Sequence, residues 1–280
     1  MSNEMSEEES FDDETTRPST ASATATAPVS NLLRTAIDPN LNEDLALAQL
    51  KRADLPAEVI EQLAKNSNAL KSSKARIALA SHPHTPRHVS VPLARQFYTF
   101  DLMKVALAPG VPADVKVAVD DVLISRLKTV TVGERLTLAR RASGRVAAAL
   151  LLEVESVDRE IDGKIGKSKA DDKAKPAEPA ARATRVMQTA LENPRLTEAF
   201  VISAVLHPAA SAALAHAVAR HEKWSRRKEI RAALLRTEHL SLARALKFSQ
   251  EIPTKRLHEL LASSRLPAQI KDQLLRKNLA

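Results

Sequence analysis

Residues 220–236 read RHEKWSRRKEIRAALLR and carry the densest potential chemistry in the chain. Arg220, Lys223, Arg226, Arg227, Lys228, Arg231 and Arg236 surround Trp224, the only tryptophan. Guanidinium and ammonium groups attract phosphates, and an indole offers a stacking face. On a helix, Arg227 and Arg231 stand at i, i+4, as do Arg220 and Trp224, so each pair shares a face. These eight residues form the candidate surface for an anionic partner. The opposing reading is that Trp224 fills a helix–helix junction while the bases are solvated. Nucleic-acid binding also draws on stacking aromatics, and aromatics make up only 2% of this sequence.

Other chemistry is sparse. His82, His84 and His88 are the closest histidines. A metal would need two of them on one helix face at i, i+4. Thr85–Pro86 reads instead as an N-cap and a first helical residue. That places His84 outside the helix and His88 in its first turn. Asp120–Asp121 and Asp12–Asp13 are adjacent pairs. Helical neighbours point about 100° apart, so neither pair is an acid/base dyad by itself. No glycine-rich phosphate loop, serine elbow or zinc-protease helix is present. There is no cysteine, which removes thiolate ligands, disulfides and a Cys nucleophile. The expectation is a protein that is not an enzyme and has no cofactor or metal.

The elements that hold these residues must be helical. Of 280 residues, 44% are hydrophobic, yet only 5 are glycine. A core built from Ala, Leu, Val and Ile with few glycines favours helix over sheet. The net charge of +8 hides an asymmetry. Residues 1–30 hold seven acids and one base, while 185–280 hold 17 Lys/Arg against 8 Asp/Glu. A basic body with an acidic tail suits either an anionic partner or a solvated helical face. The N-terminus lacks the pattern of a signal peptide. The longest apolar run, VAAALLLEV, is far shorter than the roughly 20 residues of a membrane span. Together these point to a soluble cytoplasmic protein with no membrane contact.

One phrase recurs: LPAEVIEQL at 55–63, VPADVKVAV at 111–119 and LPAQIKDQL at 266–274. In each, Pro56, Pro112 or Pro267 would open a helix at its first position, where a missing N–H costs nothing. Glu58, Asp114 and Gln269 follow in the first turn, and Val59, Val115 and Ile270 would face inward. The repetition extends further. Shifted by 155 residues, 39–122 falls on 194–277 without a gap, pairing Arg76 with Arg231, His84 with His239 and Pro112 with Pro267. The pairing of Arg76 with Arg231 suits a structural role for Arg231. The fold class expected is all-α: an internally duplicated α-solenoid of short antiparallel helices. Composition divides the chain into a disordered acidic tail (1–30), a helical block (31–157), a flexible insert (158–184) and a second helical block (185–280).

ALASHPHTPRHVSVPLA (78–94) and ALENPRLTEAFVISAVL (190–206) show an apolar helix ending in His/Asn–Pro, a Thr/Leu restart and another apolar helix. HEKWSRRKEIRAALLR (221–236) resembles stretches of bacterial helical-repeat proteins. These lines resemble bacterial variant leucine-rich repeats and HEAT-like repeats. The resemblance implies an α-solenoid and carries no catalytic residue across. The Cys-ligated iron–sulfur cluster of some variant leucine-rich repeat proteins is excluded here. The expected function is a scaffold or adaptor that holds a protein partner. The alternative is a HEAT-like nucleic-acid binder of DNA-repair type, using the basic C-terminal half.

Overall fold

The computed structural model describes residues 29–153 and 178–279. Residues 1–28 of the expected disordered tail and 158–177 of the expected flexible insert lie outside the described residues. The described residues are helical throughout, with no strand. The helices are α1 (Val29–Ile37), α2 (Glu43–Leu50), α3 (Ala57–Lys65), α4 (Ser67–Lys71), α5 (Ser73–Ser81), α6 (Arg87–Arg95), α7 (Thr99–Leu107), α8 (Ala113–Arg126) and α9 (Val132–Arg141). Next come α10 (144–153), α11 (Glu178–Leu191), α12 (Glu198–Leu206), α13 (Ala212–Arg220), α14 (Glu222–Ser225) and α15 (Lys228–Arg236). Last are α16 (Leu242–Ser249), α17 (Thr254–Ala262) and α18 (Ala268–Leu279). α11 begins inside the segment expected to be a flexible insert, at Glu178 rather than 185. Its Ala- and Arg-rich opening, EPAARATR, is a good helix former.

Short helices cannot stand alone in water, because nucleation is costly and each buries only one face. Here the principal packing joins helices close along the chain. α1 packs on α3, α2 on α5, α6 and α7 on α8, α9 on α11, α12 on α15, α15 on α17 and α16 on α18. One continuous apolar core runs from Leu32 to Leu274. Val59 (0% exposed) and Val115 (1%) face it as the repeated phrase requires, and Ile270 packs against its edge.

The prolines differ from expectation by one residue. Pro56, Pro86 and Pro112 are N-caps, with ψ of 148°, 145° and 143°, and the helix starts at the next residue. Proline satisfies both positions through the same fixed φ, but only an extended ψ lets the chain enter from the preceding turn. Thr85 accordingly is not the cap of α6. It is 3% exposed, and its hydroxyl donates to the Leu79 carbonyl at 2.6 Å, closing α5 behind it.

Helix starts recur at a constant interval. α2 to α8 begin at 43, 57, 67, 73, 87, 99 and 113, and α12 to α18 at 198, 212, 222, 228, 242, 254 and 268. Each pair is 155 apart (198 − 43, and so on). Polar side chains pin successive layers together at a second interval. Asn66 Nδ2 donates to the Ala36 carbonyl, 30 residues back, at 3.0 Å. Arg126 reaches the Phe97 carbonyl, 29 back, at 2.6 Å. Ser264 reaches the Leu235 carbonyl, 29 back, at 2.6 Å. Each fills an orphan acceptor at or near a helix C-terminus and contributes about 0.5–1.5 kcal/mol.

Candidate functional site

The eight residues singled out by sequence lie at the end of α13, in α14, in the turn of Arg226 and Arg227 that follows it, and along α15. They do not form one exposed cationic face. Trp224 is 2% exposed and its indole N–H donates to the Leu191 carbonyl at 2.8 Å. The position 155 residues before Leu191 is Ala36, whose carbonyl takes Asn66 instead. Trp224 thus closes the C-terminus of α11 as Asn66 closes that of α1. Lys223 Nζ lies over the indole, 4.1 Å from its centroid. His221 caps α14 by accepting the Lys223 N–H at 3.2 Å. Burial lowers the pKa of its imidazole, favouring the neutral ring that this bond requires.

The arginines mostly have acids beside them. Arg226 donates to Glu222 at 2.7 Å one turn earlier, and Arg227 stands 3.9 Å from Glu198 of α12. The first pair is exposed and the second partly so, and both are of small energetic weight. Arg231 is more constrained, with 12% of its side chain accessible and an ion pair to Glu251. Its Nε donates to the Ser225 carbonyl at 2.5 Å, and its guanidinium lies 5.5 Å from the Phe248 ring centroid. Arg220, Lys228 and Arg236 are exposed.

Two concavities adjoin this region. A groove of about 700 Å³ between α15 and α17 is floored by Ala232, Ile252 and Pro253. Two ion pairs cross its rim, Arg231 with Glu251 and Arg256 with Glu229 at 3.0 Å, and Lys228 adds one further cation. The second is a polar cleft of about 610 Å³ at the ends of α12, α15 and α17, lined in part by His207, Arg236, Thr237, Glu238, His239 and Arg265. Sequence reasoning found only Arg236 of these six. The other five sit in turns, and nothing in their spacing shows that three separate turns converge.

The three histidines of the first half are spent on structure. His82 Nε2 bonds the Arg52 carbonyl at 2.8 Å and His84 Nδ1 the Leu55 carbonyl at 2.9 Å. His88 of α6 stands 3.4 Å from Glu61 of α3. Among the described residues no group of three His, Asp or Glu is placed to hold a metal, and no helix is long and apolar enough to cross a membrane. Asp120 and Asp121 diverge as adjacent helical residues must. Asp120 is buried and accepts from the Ser143 hydroxyl at 2.8 Å, while Asp121 pairs outward with Arg145 at 2.7 Å. No protein-family description, no curated protein and no solved structure matches this chain.

Proposed function

We propose that this chain is a non-enzymatic adaptor, a duplicated α-solenoid related to HEAT-like and variant leucine-rich repeats, which holds a protein partner. The observation that carries the reading is the α15–α17 groove. It combines an apolar floor of Ala232, Ile252 and Pro253 with a rim on which two arginines are already paired with acids, leaving Lys228 as the one cation over. An apolar centre inside a polar rim is the anatomy of a protein interface. A polyanion site needs the opposite, bases without acids. The recurrence of helix starts 155 residues apart supports the duplication. Packing between close elements is what stacked repeats require.

Photo-crosslinking residues placed at Lys228 and Pro253 in the native cell should capture one discrete protein. The same group at the distant, exposed Arg87 should not. Equal capture at all three positions, or chaperones alone, would count against the adaptor.

The nucleic-acid reading keeps one favourable observation, the excess of 17 Lys/Arg over 8 Asp/Glu in 185–280. It requires binding that weakens steeply with salt. Reversing Arg226, Arg227 and Lys228 to Glu should then weaken it on every sequence tested. Absence of a mobility shift at low salt removes this reading.

A further inference from the structure

The polar cleft at the ends of α12, α15 and α17 differs in kind from the equivalent place in the first half. There, 155 residues earlier, three turns stack closely. His82 Nε2 is bonded to the Arg52 carbonyl at 2.8 Å, and His84 Nδ1 to the Leu55 carbonyl at 2.9 Å. Gly110, with φ of +83°, lies so near the Pro83 ring that an added Cβ would stand 3.1 Å from its Cγ. In the second half, Thr237 occupies the position corresponding to His82, Glu238 that of Pro83 and Arg265 that of Gly110. Thr237 cannot span the gap. Its hydroxyl turns inward to the Leu234 carbonyl at 2.8 Å. The strap is lost, and a cleft of about 610 Å³ stands in its place.

What replaces the strap is mostly cationic or hydrogen-donating. Arg236 and Arg265 both line the cleft, and their turns are tied by the Arg265 N–H donating to the Arg236 carbonyl at 3.0 Å. Neither guanidinium has a carboxylate within ion-pair distance among the described residues. The one acid there, Glu238, stands 3.5 Å from His239 Nε2. His207 Nδ1 accepts the Ala209 N–H at 3.1 Å, so a neutral ring carries its proton on Nε2. The cleft therefore offers two guanidinium forks and an imidazole N–H, with its only carboxylate beside a histidine. Arginine forks match the oxygens of phosphate and bind it bidentately.

The geometry points to a binding site for a phosphate-class dianion in this cleft, held by Arg236 and Arg265 with His207 as a third donor. The site stands whether or not the chain is an adaptor. Free phosphate and a phosphorylated side chain present the same group, and the cleft is open enough to admit either.

The first half supplies the variants that test it. Arg265→Gly restores the residue at the equivalent position 110. Thr237→His restores the strap residue and should close the cleft by reaching the His207 carbonyl, as His82 reaches Arg52. The full-length chain would be titrated with inorganic phosphate, phosphoserine and acetate, reading backbone amide shifts at 237–239 and 264–266 by NMR. Phosphate and phosphoserine should saturate with a Kd on the order of 1 mM. Tighter binding of phosphoserine than of phosphate would assign the natural ligand to a phosphorylated chain, and the reverse to a free anion. Each variant should weaken binding at least about tenfold while the melting temperature stays within a few degrees of the parent. Shifts that never saturate, acetate binding as well as phosphate, or two folded variants that bind like the parent would each overturn the site.

Discussion

At the residue scale, Asp120 is the group most at odds with its surroundings. It is 6% exposed. One carboxylate oxygen accepts from Ser143 at 2.8 Å and the other has no partner. Burial raises its pKa above the ordinary 3.8, with Asp121 adding to the shift, while Ser143 and Arg145 oppose it. The fold therefore favours the protonated acid. Its stabilising contribution is complete below about pH 3.8 and is lost as pH rises through the elevated folded pKa. At neutral pH the buried carboxylate is a cost. Asp120→Asn removes the charge and keeps an acceptor for Ser143. It should raise stability at pH 7 by about 1 kcal/mol, with the gain shrinking as pH falls toward 4. Urea denaturation of both proteins across that range measures it. A variant no more stable than the parent at pH 7 would mean that the charge is already compensated.

At the element scale, the junction between the halves depends on close approach. Asn193, 1% exposed, donates to the Ala139 carbonyl at 2.7 Å and the Ala142 carbonyl at 3.2 Å. It closes α9 from the far side of the chain segment between α10 and α11. Gly144 opens α10 directly against the Arg195 turn. A Cβ there would overlap the Arg195 carbonyl oxygen and stand 3.2 Å from the Phe200 ring. The obstacle is backbone, which cannot swing aside as a side chain would. Gly144→Ala should therefore destabilise by about 1–3 kcal/mol, although alanine is the better helix former. Gly133→Ala is the control, because nothing lies within 4 Å of a Cβ there. Its helix, α9, should gain about 0.5–1 kcal/mol. Thermal melts of the two variants should move in opposite directions, and movement together would refute the close-packing argument.

For the whole molecule, packed helices and side-chain hydrogen bonds join the described residues before 154 to those after 177. α9 packs on α11, Asn193 spans 54 residues of sequence to Ala139, and the apolar core is continuous across the junction. A site-specific protease site placed between Lys164 and Lys175 tests this. After cleavage the two fragments should co-elute on size exclusion and keep the helical content of the intact chain. Separation into two folded fragments would show that the junction is too weak to act as one core.

The sequence by itself determined the helical class and, to within one residue, the helix starts marked by proline. Few glycines, an Ala/Leu-rich composition and proline punctuation act through local backbone preference, so they are visible locally. The interval of 155 residues was legible for the same reason, because equivalent helices carry the same local signals. The N-caps at Pro56, Pro86 and Pro112 fell one residue away from expectation because φ alone does not fix ψ. Tertiary structure decided what the side chains do. Trp224 and Arg231 stood among the candidates for an anionic-partner surface, with a helix junction and a structural role as the opposing readings, and only packing supplies the Leu191 and Ser225 carbonyls that their bonding groups reach. The cleft of Arg236 and Arg265 needed three turns, from α12, α15 and α17, to meet. Their convergence is set by the angle at which helices stack, and no local pattern of residue types encodes that angle.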